Sequence, residues 1–253
     1  MDGHCLQVNS MHRFRIDPNL ITDARAPLSN EEAQHAFKVL RLRSGDQVQA
    51  TDGCGRAWQG ELCQDGEGAY ITLLSLMPDT ESPLALTLYM GLPKGEKLEL
   101  IAQKACEIGC CKLVPVRMGR SVVRIQPQEA EKKLLRVRRI AAEAIKQCGR
   151  QVEMEITDPV DMNALGQLLP AHERAFFMWE KAKDERLADI RKKQPALRDI
   201  ACVIGPEGGI SEAEAGALCG WGALPVTMGP RILRAETAAI AACAQIMALW
   251  GDM

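Results

Sequence analysis

Two glycine-marked segments near the end of the sequence contain residue types that bind ligands through main-chain groups. One is IGPEGGIS, from Ile204 to Ser211, and the other is MGPRILRAETA, from Met228 to Ala238. Each separates an apolar run, which predicts a strand, from an Ala- and Glu-rich run, which predicts a helix. Glycine lets the backbone approach a ligand closely and adopt positive φ angles. Two such turns at the ends of neighbouring strands predict one shared ligand pocket.

The first segment has the position of a ligand loop in an α/β protein. Ser211 is the predicted N-cap of the next helix, and Glu214, three residues later, completes a capping box. Gly205–Ile210 then lies at the carboxyl end of a strand, where open α/β sheets bind ligands. The segment matches neither G-x-G-x-x-G nor a P-loop, which argues against a nucleoside triphosphate site. The alternative is a purely structural turn before a well-capped helix.

The second segment combines charged and apolar residues around its turn. Gly229-Pro230 forms the predicted turn, and Arg234 and Glu236 flank the predicted helix start. Ile232 and Leu233 lie between them. Two interpretations stay open for this apolar pair: a plug in the core beneath the helix, or an apolar wall around a flat ring.

Positive charge is concentrated between Arg117 and Arg150. This stretch contains ten Lys or Arg residues and three acidic ones, although the whole chain has a net charge of −2. Residues 129–148 predict a helix with one apolar face and a second, charged face at the same spacing. That charged face comprises Lys132, Arg136, Arg139, Glu143, Lys146 and, just beyond the helix, Arg150. It is either a solvated surface or a stripe that follows the phosphates of a polyanion.

Composition narrows the class of protein. The chain has 253 residues, 47% of them hydrophobic, which suits one large domain or two smaller ones. No apolar run approaches the roughly 20 residues needed to cross a bilayer. Residues 1–10 lack the pattern of a secretory signal and are expected to be an extension before Met11. The ten cysteines and four histidines show no ligand spacing, so we predict no metal site and a reducing, cytoplasmic location.

The chain divides into a β-rich part at residues 12–77, a linker at 78–83 and an alternating part at 84–253. In the first part, apolar–polar alternation in Asp46–Ala50 and Tyr70–Leu76, with Asp-Gly pairs at 52–53 and 65–66, predicts hairpins. Glu31–Leu40 predicts a short helix. After the linker, strands alternate with helices, which favours a parallel α/β sheet. The predicted strands are Leu84–Met90, Lys112–Val116, Val152–Ile156, Arg174–Trp179, Ile200–Ile204 and Leu224–Met228, and the predicted helices are Leu98–Ile108 with Gly109 as its cap, 129–148 and Glu236–Trp250.

Together the two glycine segments resemble the signature of the SPOUT RNA methyltransferases. Further matches along the chain are similar to the 16S ribosomal RNA uridine-N3 methyltransferase family of that superfamily. They are Arg13-Phe14-Arg15, His35–Arg43, Lys94-Gly95-Glu96-Lys97, Gln103-Lys104, Glu107-Ile108-Gly109 and Gln147-Cys148-Gly149-Arg150. The resemblance covers roughly residues 12–250, which makes a coincidence of short motifs a poor explanation.

This resemblance implies a fold, a cofactor and partners. The fold is a PUA-like RNA-binding β domain at 12–77 and a SPOUT α/β domain with a deep trefoil knot at 84–253. The chain is expected to be a homodimer that acts on small-subunit ribosomal RNA, free or in an assembled subunit, away from membranes. The implied cofactor is S-adenosylmethionine, with contacts at Gly205, Glu207, Gly208, Gly209, Met228, Gly229, Ile232 and Leu233. The implied RNA contacts are Arg13, Arg15, Arg41, Arg43, Lys94, Arg120, Lys132, Arg136, Arg139, Gln147 and Arg150.

The implied reaction methylates N3 of a uridine, whose imide N–H must lose its proton. A nearby cation would stabilise the uracil anion. Arg234 is the first candidate, and a basic residue of the Arg120–Arg150 stretch from the partner subunit is the second. Glu236 is the candidate proton acceptor, although at a helix N-terminus it equally suits simple capping.

Two rival functions share parts of this pattern. A SPOUT ribose 2′-O-methyltransferase would use the same cofactor loops, but the N-terminal part and Gln147–Arg150 match the uridine-N3 family. A non-catalytic ribosome-assembly module would keep the fold, and the intact glycine loops argue against it.

Overall fold

The computed structural model describes residues 11–121, 127–183 and 185–253, without the side chains of residues 127–130. The expected extension at residues 1–10, and Arg124 of the basic stretch, lie outside the described residues. The described chain forms two compact units. The first contains the residues up to Glu81 together with Gly149–Val152, and the second contains Ser82–Cys148 and Glu153–Met253.

The first unit is built on a five-stranded sheet with the order β1-β3-β4-β5-β2. Its strands are β1 (Arg13–Arg15), β2 (Arg25–Pro27), β3 (Gln47–Thr51), β4 (Ala57–Asp65) and β5 (Gly68–Leu76). The predicted hairpins are present, because β3 pairs antiparallel with β4 and β4 with β5. Inward-facing side chains form a separate apolar core around Phe14, Ile16 and Ile71. The β-rich prediction for this part of the chain is confirmed.

The helix predicted at Glu31–Leu40 has two parts. α1 (Asn30–Gln34) is followed directly by a π-helical turn, His35–Val39. Soon after it, Arg41 has a φ of 58°, in the left-handed region that favours glycine. A residue with a Cβ carries conformational strain there, and such strain persists where surrounding structure enforces it.

The segment Gly149–Val152 belongs to the first unit, whereas its position in the sequence suggested the second. Arg150 is 7% exposed, and its guanidinium lies 2.6 Å from a Glu81 carboxylate oxygen. The Arg150 carbonyl accepts a hydrogen bond of 2.8 Å from Arg13, which is itself 8% exposed. Glu81 also accepts the amides of the two residues after Arg150, at 2.7 and 3.0 Å. These buried charges are thus paired and hydrogen-bonded, as stability requires.

The second unit is built on a parallel sheet with the order β12-β10-β11-β6-β7-β8, and β9 also pairs with β7. Its strands are β6 (Ala85–Gly91), β7 (Lys112–Arg117), β8 (Glu155–Ile156), β9 (Val160–Asp161), β10 (Arg174–Met178), β11 (Asp199–Ile204) and β12 (Leu224–Val226). The near-continuous apolar runs of β6, β10 and β11 fit strands that are covered on both faces. The predicted parallel α/β architecture is confirmed.

Helices and apolar cores cover both faces of this sheet. The helices are α2 (Lys97–Ile108), α3 (Pro127–Cys148), α4 (Met162–Leu168), α5 (Leu187–Lys193), α6 (Glu212–Gly220) and α7 (Ala235–Trp250). Gly109 ends α2 with a φ of 105°, as predicted for its cap. α7 buries Ala239, Cys243 and Ile246 in the larger core. The helix is therefore a central element of this unit.

Three predicted strands are shorter in the structure, and the one expected at Arg174–Trp179 ends at Met178. The strand expected at Val152–Ile156 is reduced to β8, because Val152 forms an isolated bridge with Cys54 of the first unit. The strand expected at Leu224–Met228 ends at Val226, and Met228 belongs to the following loop. Within the described ranges, none of the helices is long and apolar enough to span a membrane.

Candidate functional site

Four adjacent strands of the second unit end at one level. Met90 of β6 pairs with Ile204 of β11, which pairs with Met178 of β10, which pairs in turn with Val226 of β12. Because the strands are parallel, the chain leaves all four at one edge, and both glycine segments begin there. From β6 the chain continues to β7 on one side of the β6–β11 pair, and from β11 it continues to β12 on the other side. Such a reversal of direction creates a ligand crevice in α/β folds.

The two glycine segments line a single cavity of 520 Å³ at this edge. Small-ligand sites typically measure about 300–1,000 Å³. Every residue expected to contact the cofactor lines it: Gly205, Glu207, Gly208, Gly209, Met228, Gly229, Ile232 and Leu233. Lys97, Met178, Trp179, Glu180, Thr227 and Arg234 are also among the lining residues.

The first glycine segment has glycines where its own packing needs them. Gly209 has a φ of 70°, and its N–H donates to the Pro206 carbonyl at 2.8 Å. A Cβ at Gly205 would lie 2.9 Å from the backbone carbon of Gly209, and one at Gly208 would lie 2.9 Å from the Cβ of Arg120. These glycines therefore allow the loop to fold tightly, in addition to any role in admitting a ligand.

Hydrogen bonds tie this loop to the following helix and to the segment after β7. The predicted capping box is present: Ser211 Oγ accepts the Glu214 N–H at 3.2 Å, and Glu214 accepts the Ser211 N–H at 2.9 Å. Glu214 also accepts the Gly119 N–H at 2.8 Å. Arg120 donates to the Gly208 carbonyl at 2.9 Å. Arg120, predicted to contact RNA, thus braces the glycine loop, and its RNA role stays a prediction.

One ammonium group connects the two segments at the cavity. The Lys97 Nζ lies 3.0 Å from Glu207 and 3.3 Å from Glu236. Burial acts to raise the pKa of Glu207, but hydrogen bonds from Lys97 and the backbone outweigh it, so the pKa is lowered. The pKa of Glu236 is lowered by its own backbone N–H and by Lys97. Both groups are therefore carboxylates at neutral pH.

The second segment presents apolar and cationic groups at the cavity. Ile232 is 88% exposed, which excludes the interpretation that it plugs the core beneath the helix. Arg234 is the N-cap residue of α7, and its carbonyl accepts the Ala238 N–H at 2.8 Å. Its side chain is exposed and makes no capping hydrogen bond. The guanidinium is thus available on the cavity side of the loop.

The basic face of α3 is partly neutralised. Arg136 pairs with Glu96 at 3.2 Å and with Glu99 at 3.0 Å. Lys132, Arg139 and Gln147 are exposed. Arg136 is therefore engaged within the unit, whereas the other three residues offer exposed polar groups to a partner.

The arginines of the first unit fall into two sets. Arg15, Arg41 and Arg43 are exposed. Arg13 and Arg150 are buried in contacts within the unit, and Arg13 also donates to Gln49 at 2.8 Å and 3.0 Å. A buried guanidinium that is already hydrogen-bonded has little left to offer a phosphate, so burial argues against RNA contacts by Arg13 and Arg150, which stay predictions.

Several cavity residues were missed by the sequence analysis. Trp179 and Glu180 follow β10, and the Trp179 indole donates to the Ile210 carbonyl at 3.3 Å. No glycine or motif marks this strand end, and its place at the cavity depends on the strand order. Lys97 lies in a matched motif, but only its tertiary contacts distinguish it from other lysines. Lys94, expected to contact RNA, is exposed and donates its N–H to Glu207 at 3.0 Å.

Comparisons with known proteins agree with this geometry. The family model of an RNA methyltransferase domain matches residues 80–247, and that of an RNA methyltransferase PUA domain matches residues 28–73. The fold and its cavity therefore define an RNA methyltransferase. The ribosomal RNA small subunit methyltransferase E of Bacillus subtilis is 30% identical over 258 residues, covering 93% of this chain and 96% of its own. That of Mycobacterium tuberculosis is 31% identical, covering 90% and 88%.

Solved structures give the same result. A ribosomal RNA small subunit methyltransferase E from Neisseria gonorrhoeae, bound to S-adenosyl methionine, matches with a TM-score of 0.86 and 31% identity, covering 96% of this chain and 99% of its own. A Legionella pneumophila structure in complex with the bound cofactor SAM matches with a TM-score of 0.86 and 29% identity, at the same coverage. This chain belongs to the ribosomal RNA small subunit methyltransferase E family, which confirms the resemblance found in the sequence.

Proposed function

We propose that this protein transfers a methyl group from S-adenosylmethionine to N3 of a uridine in the 16S RNA of the small ribosomal subunit. The observation that carries the proposal is the cavity itself. Two glycine segments, both of the family type, meet at aligned strand ends and leave 520 Å³ between them. Family membership supplies the substrate class, and the related Neisseria structure was solved with S-adenosyl methionine.

The residues around the cavity suit this cofactor. Met228, Ile232 and Leu233 offer apolar surface for a flat ring, and the backbone of the glycine loop offers polar groups for its edge. Glu180 and Glu207 place negative charge at a site for a cofactor whose sulfonium and ammonium groups are positive. S-adenosylmethionine, when bound, supplies a methyl group on a reactive sulfonium. The protein's task is then to position the acceptor and exclude water.

Arg234 is the proposed cation that stabilises the deprotonated uracil. It lines the cavity and its side chain is exposed, so it has the freedom to face an incoming base. Preorganised positive charge is most effective where negative charge develops during the reaction. Glu236 is less suited to accept the proton, because its lowered pKa makes it a weak base. We assign Glu236 to the ion pair with Lys97 instead.

RNA would be held by exposed positive charge on both units, with Gln147 as a neutral polar contact. On the first unit the proposed contacts are Arg15, Arg41 and Arg43, and on the second they are Lys94, Arg120, Lys132, Arg139 and Gln147. N3 is the pairing edge of uracil, so the target base must be unpaired or flipped out to reach the cavity. The PUA family match supports RNA binding by the first unit.

Further parts of the proposal rest on the family. They are a trefoil knot in the second unit, a homodimer, a cytoplasmic place of action, and domains at residues 12–77 and 84–253, the second interrupted by residues 149–152 of the first unit. A knot is rare among folds, and only family membership supports one in this chain. The oligomeric state is tested by sedimentation of the purified protein, which should give twice the mass of one chain.

Mapping the methylated nucleotides tests the function. Small-subunit RNA from cells with and without this protein should differ by one N3-methyluridine. Purified protein should restore it on free RNA or on assembled subunits, and comparing the two identifies the substrate. A 2′-O-methylated ribose would instead show the rival SPOUT activity. A protein that binds RNA but neither binds S-adenosylmethionine nor methylates RNA would be an assembly module.

A further inference from the structure

The junction between β6 and α2 packs beside the first glycine segment, and Lys97, the first residue of α2, lines the cavity. Gly91 ends β6 against the first segment, where an added Cβ would lie 2.5 Å from the Pro206 ring. The next residue of that segment, Glu207, accepts the Lys94 N–H at 3.0 Å and pairs with Lys97 at 3.0 Å. The first segment is therefore docked onto this junction by close packing and by charge.

Lys97 also reaches the second segment. Glu236 Oε2 is shielded from solvent and has no hydrogen-bond partner among the described residues. The Lys97 ammonium, 3.3 Å away, balances its charge. Glu207 lies in the loop of the first segment, whereas Glu236 lies in the first turn of α7, directly after the loop of the second segment. Both are carboxylates, so without the ammonium they would repel each other. One side chain thus connects the loop of the first segment with the start of α7 at the end of the second segment.

We propose that Lys97 is a positioning residue that sets the spacing of the two cofactor loops by pairing with Glu207 and Glu236 at once. The inference rests on the proposed function, because it assigns a cofactor to the cavity. Lys97 acts through the two carboxylates and takes no part in the chemistry. The Lys97 side chain is 33% exposed, so the pair is partly shielded and less weakened by salt than a surface ion pair.

The different charges of cofactor and product distinguish a positioning role of Lys97 from a purely electrostatic one. Lys97, Glu207 and Glu236 sum to −1, and removing the ammonium leaves −2. S-adenosylmethionine has a net charge of +1 at neutral pH, whereas S-adenosylhomocysteine is neutral overall. If Lys97 acted only through its charge, its loss would strengthen binding of the cationic cofactor and leave the neutral product unaffected. If Lys97 sets the loop spacing, its loss weakens binding of the neutral product, and it weakens binding of S-adenosylmethionine less, because the added negative charge offsets part of that loss.

The experiment compares Lys97→Met, which keeps length but removes charge, with Lys97→Arg, which keeps charge. Lys104→Met is the matched control, because Lys104 lies on the same helix in an ion pair with Glu107 and does not line the cavity. Calorimetric titration should show S-adenosylhomocysteine binding about 10-fold more weakly to Lys97→Met, and S-adenosylmethionine weakened by a smaller factor. Lys97→Arg should recover most of the loss, and Lys104→Met should match the wild type. Single-turnover methylation at saturating cofactor should change much less than the affinity.

A second measurement needs no cofactor. Amide hydrogen exchange at Lys94 and in the loop 227–234 should speed up in Lys97→Met and stay unchanged in Lys104→Met. Unchanged or tighter binding of S-adenosylhomocysteine, or unchanged exchange at both places, would overturn the positioning role. If the wild type bound neither ligand, the proposed function would fail, while the exchange measurement would still decide whether Lys97 holds the loops.

Discussion

Replacing Arg234 with alanine separates its proposed catalytic role from a structural one. The side chain is exposed and makes no capping hydrogen bond, so we expect Arg234→Ala to leave the Tm nearly unchanged. The backbone carbonyl that accepts the Ala238 N–H at 2.8 Å is kept. A cation that stabilises the uracil anion acts as the transition state forms, so its loss should lower the rate more than the cofactor affinity.

The size of the effect follows from how the charge is placed. A preorganised group aimed at developing charge is typically worth about 100- to 1,000-fold in rate, or about 2.7–4 kcal/mol. Arg234 is exposed and close enough to Glu236 to lower that residue's pKa, so part of its charge is screened. We therefore expect the lower end, about 100-fold in the single-turnover rate at saturating cofactor. Raised pH should recover part of the loss, because uracil then ionises unaided.

Arg231→Ala is the matched control, since Arg231 is an exposed arginine of the same loop that also lines the cavity. It should lose far less rate than Arg234→Ala. Single-turnover methylation across a pH series, with cofactor titration and thermal melting, makes the comparison. A normal rate for Arg234→Ala at saturating cofactor would refute the catalytic role. A joint loss of affinity and Tm would show that Arg234 braces the loop.

Three further outcomes are expected. Gly209→Val should weaken S-adenosylmethionine binding at least ~10-fold, about 1.4 kcal/mol. Gly209 has a φ of 70°, and a Cβ at this position would lie 3.2 Å from the Glu180 carboxylate. Equal cofactor affinities of mutant and wild type by calorimetry would contradict this prediction. Alanine at both Lys132 and Arg139 should flatten the log–log salt dependence of RNA binding by roughly 0.7–0.9 per residue. An unchanged slope would show that the charged face of α3 is a solvated surface that does not contact RNA phosphates. Arg41→Gly should raise the free energy of unfolding by about 1 kcal/mol, because left-handed strain is relieved, while RNA binding weakens. Lower stability in denaturant titration would show that the strain argument is wrong.

Local patterns predicted the elements wherever one face or one cap decides the structure. The apolar stripe of residues 129–148, the glycine cap after α2 and the capping box at Ser211 and Glu214 are all present. The two glycine segments could be recognised in the sequence because their tight turns require glycine at particular positions. The strand order was not predicted: the two turns were expected at neighbouring strands, whereas β10 lies between β11 and β12, the strands that precede them.

Sequence patterns failed where contacts between distant residues decide. Arg13 and Arg150 are positively charged, but no neighbouring residue in the sequence indicates that both are buried. Arg150 pairs with Glu81, and Arg13 donates to the Arg150 carbonyl. The role of Lys97 could not be predicted either, because its two carboxylate partners lie more than 100 positions further along the chain. The sequence around Arg41 indicates an ordinary surface arginine, and only its positive φ angle in the structure distinguishes it from other arginines.

The placement of Gly149–Val152 has a consequence for how the protein is made and cut. The first unit draws these four residues from beyond α3, so its parts are not contiguous along the chain. During translation, residues up to Glu81 emerge long before Arg150 exists to pair with that carboxylate and to accept the hydrogen bond of Arg13. Completion of the amino-terminal unit therefore waits for the synthesis of α2, β7 and α3. A recombinant fragment that stops at the linker would lack one side of this buried network, and fusing residues 149–152 to its end through a flexible connection is the natural way to supply it.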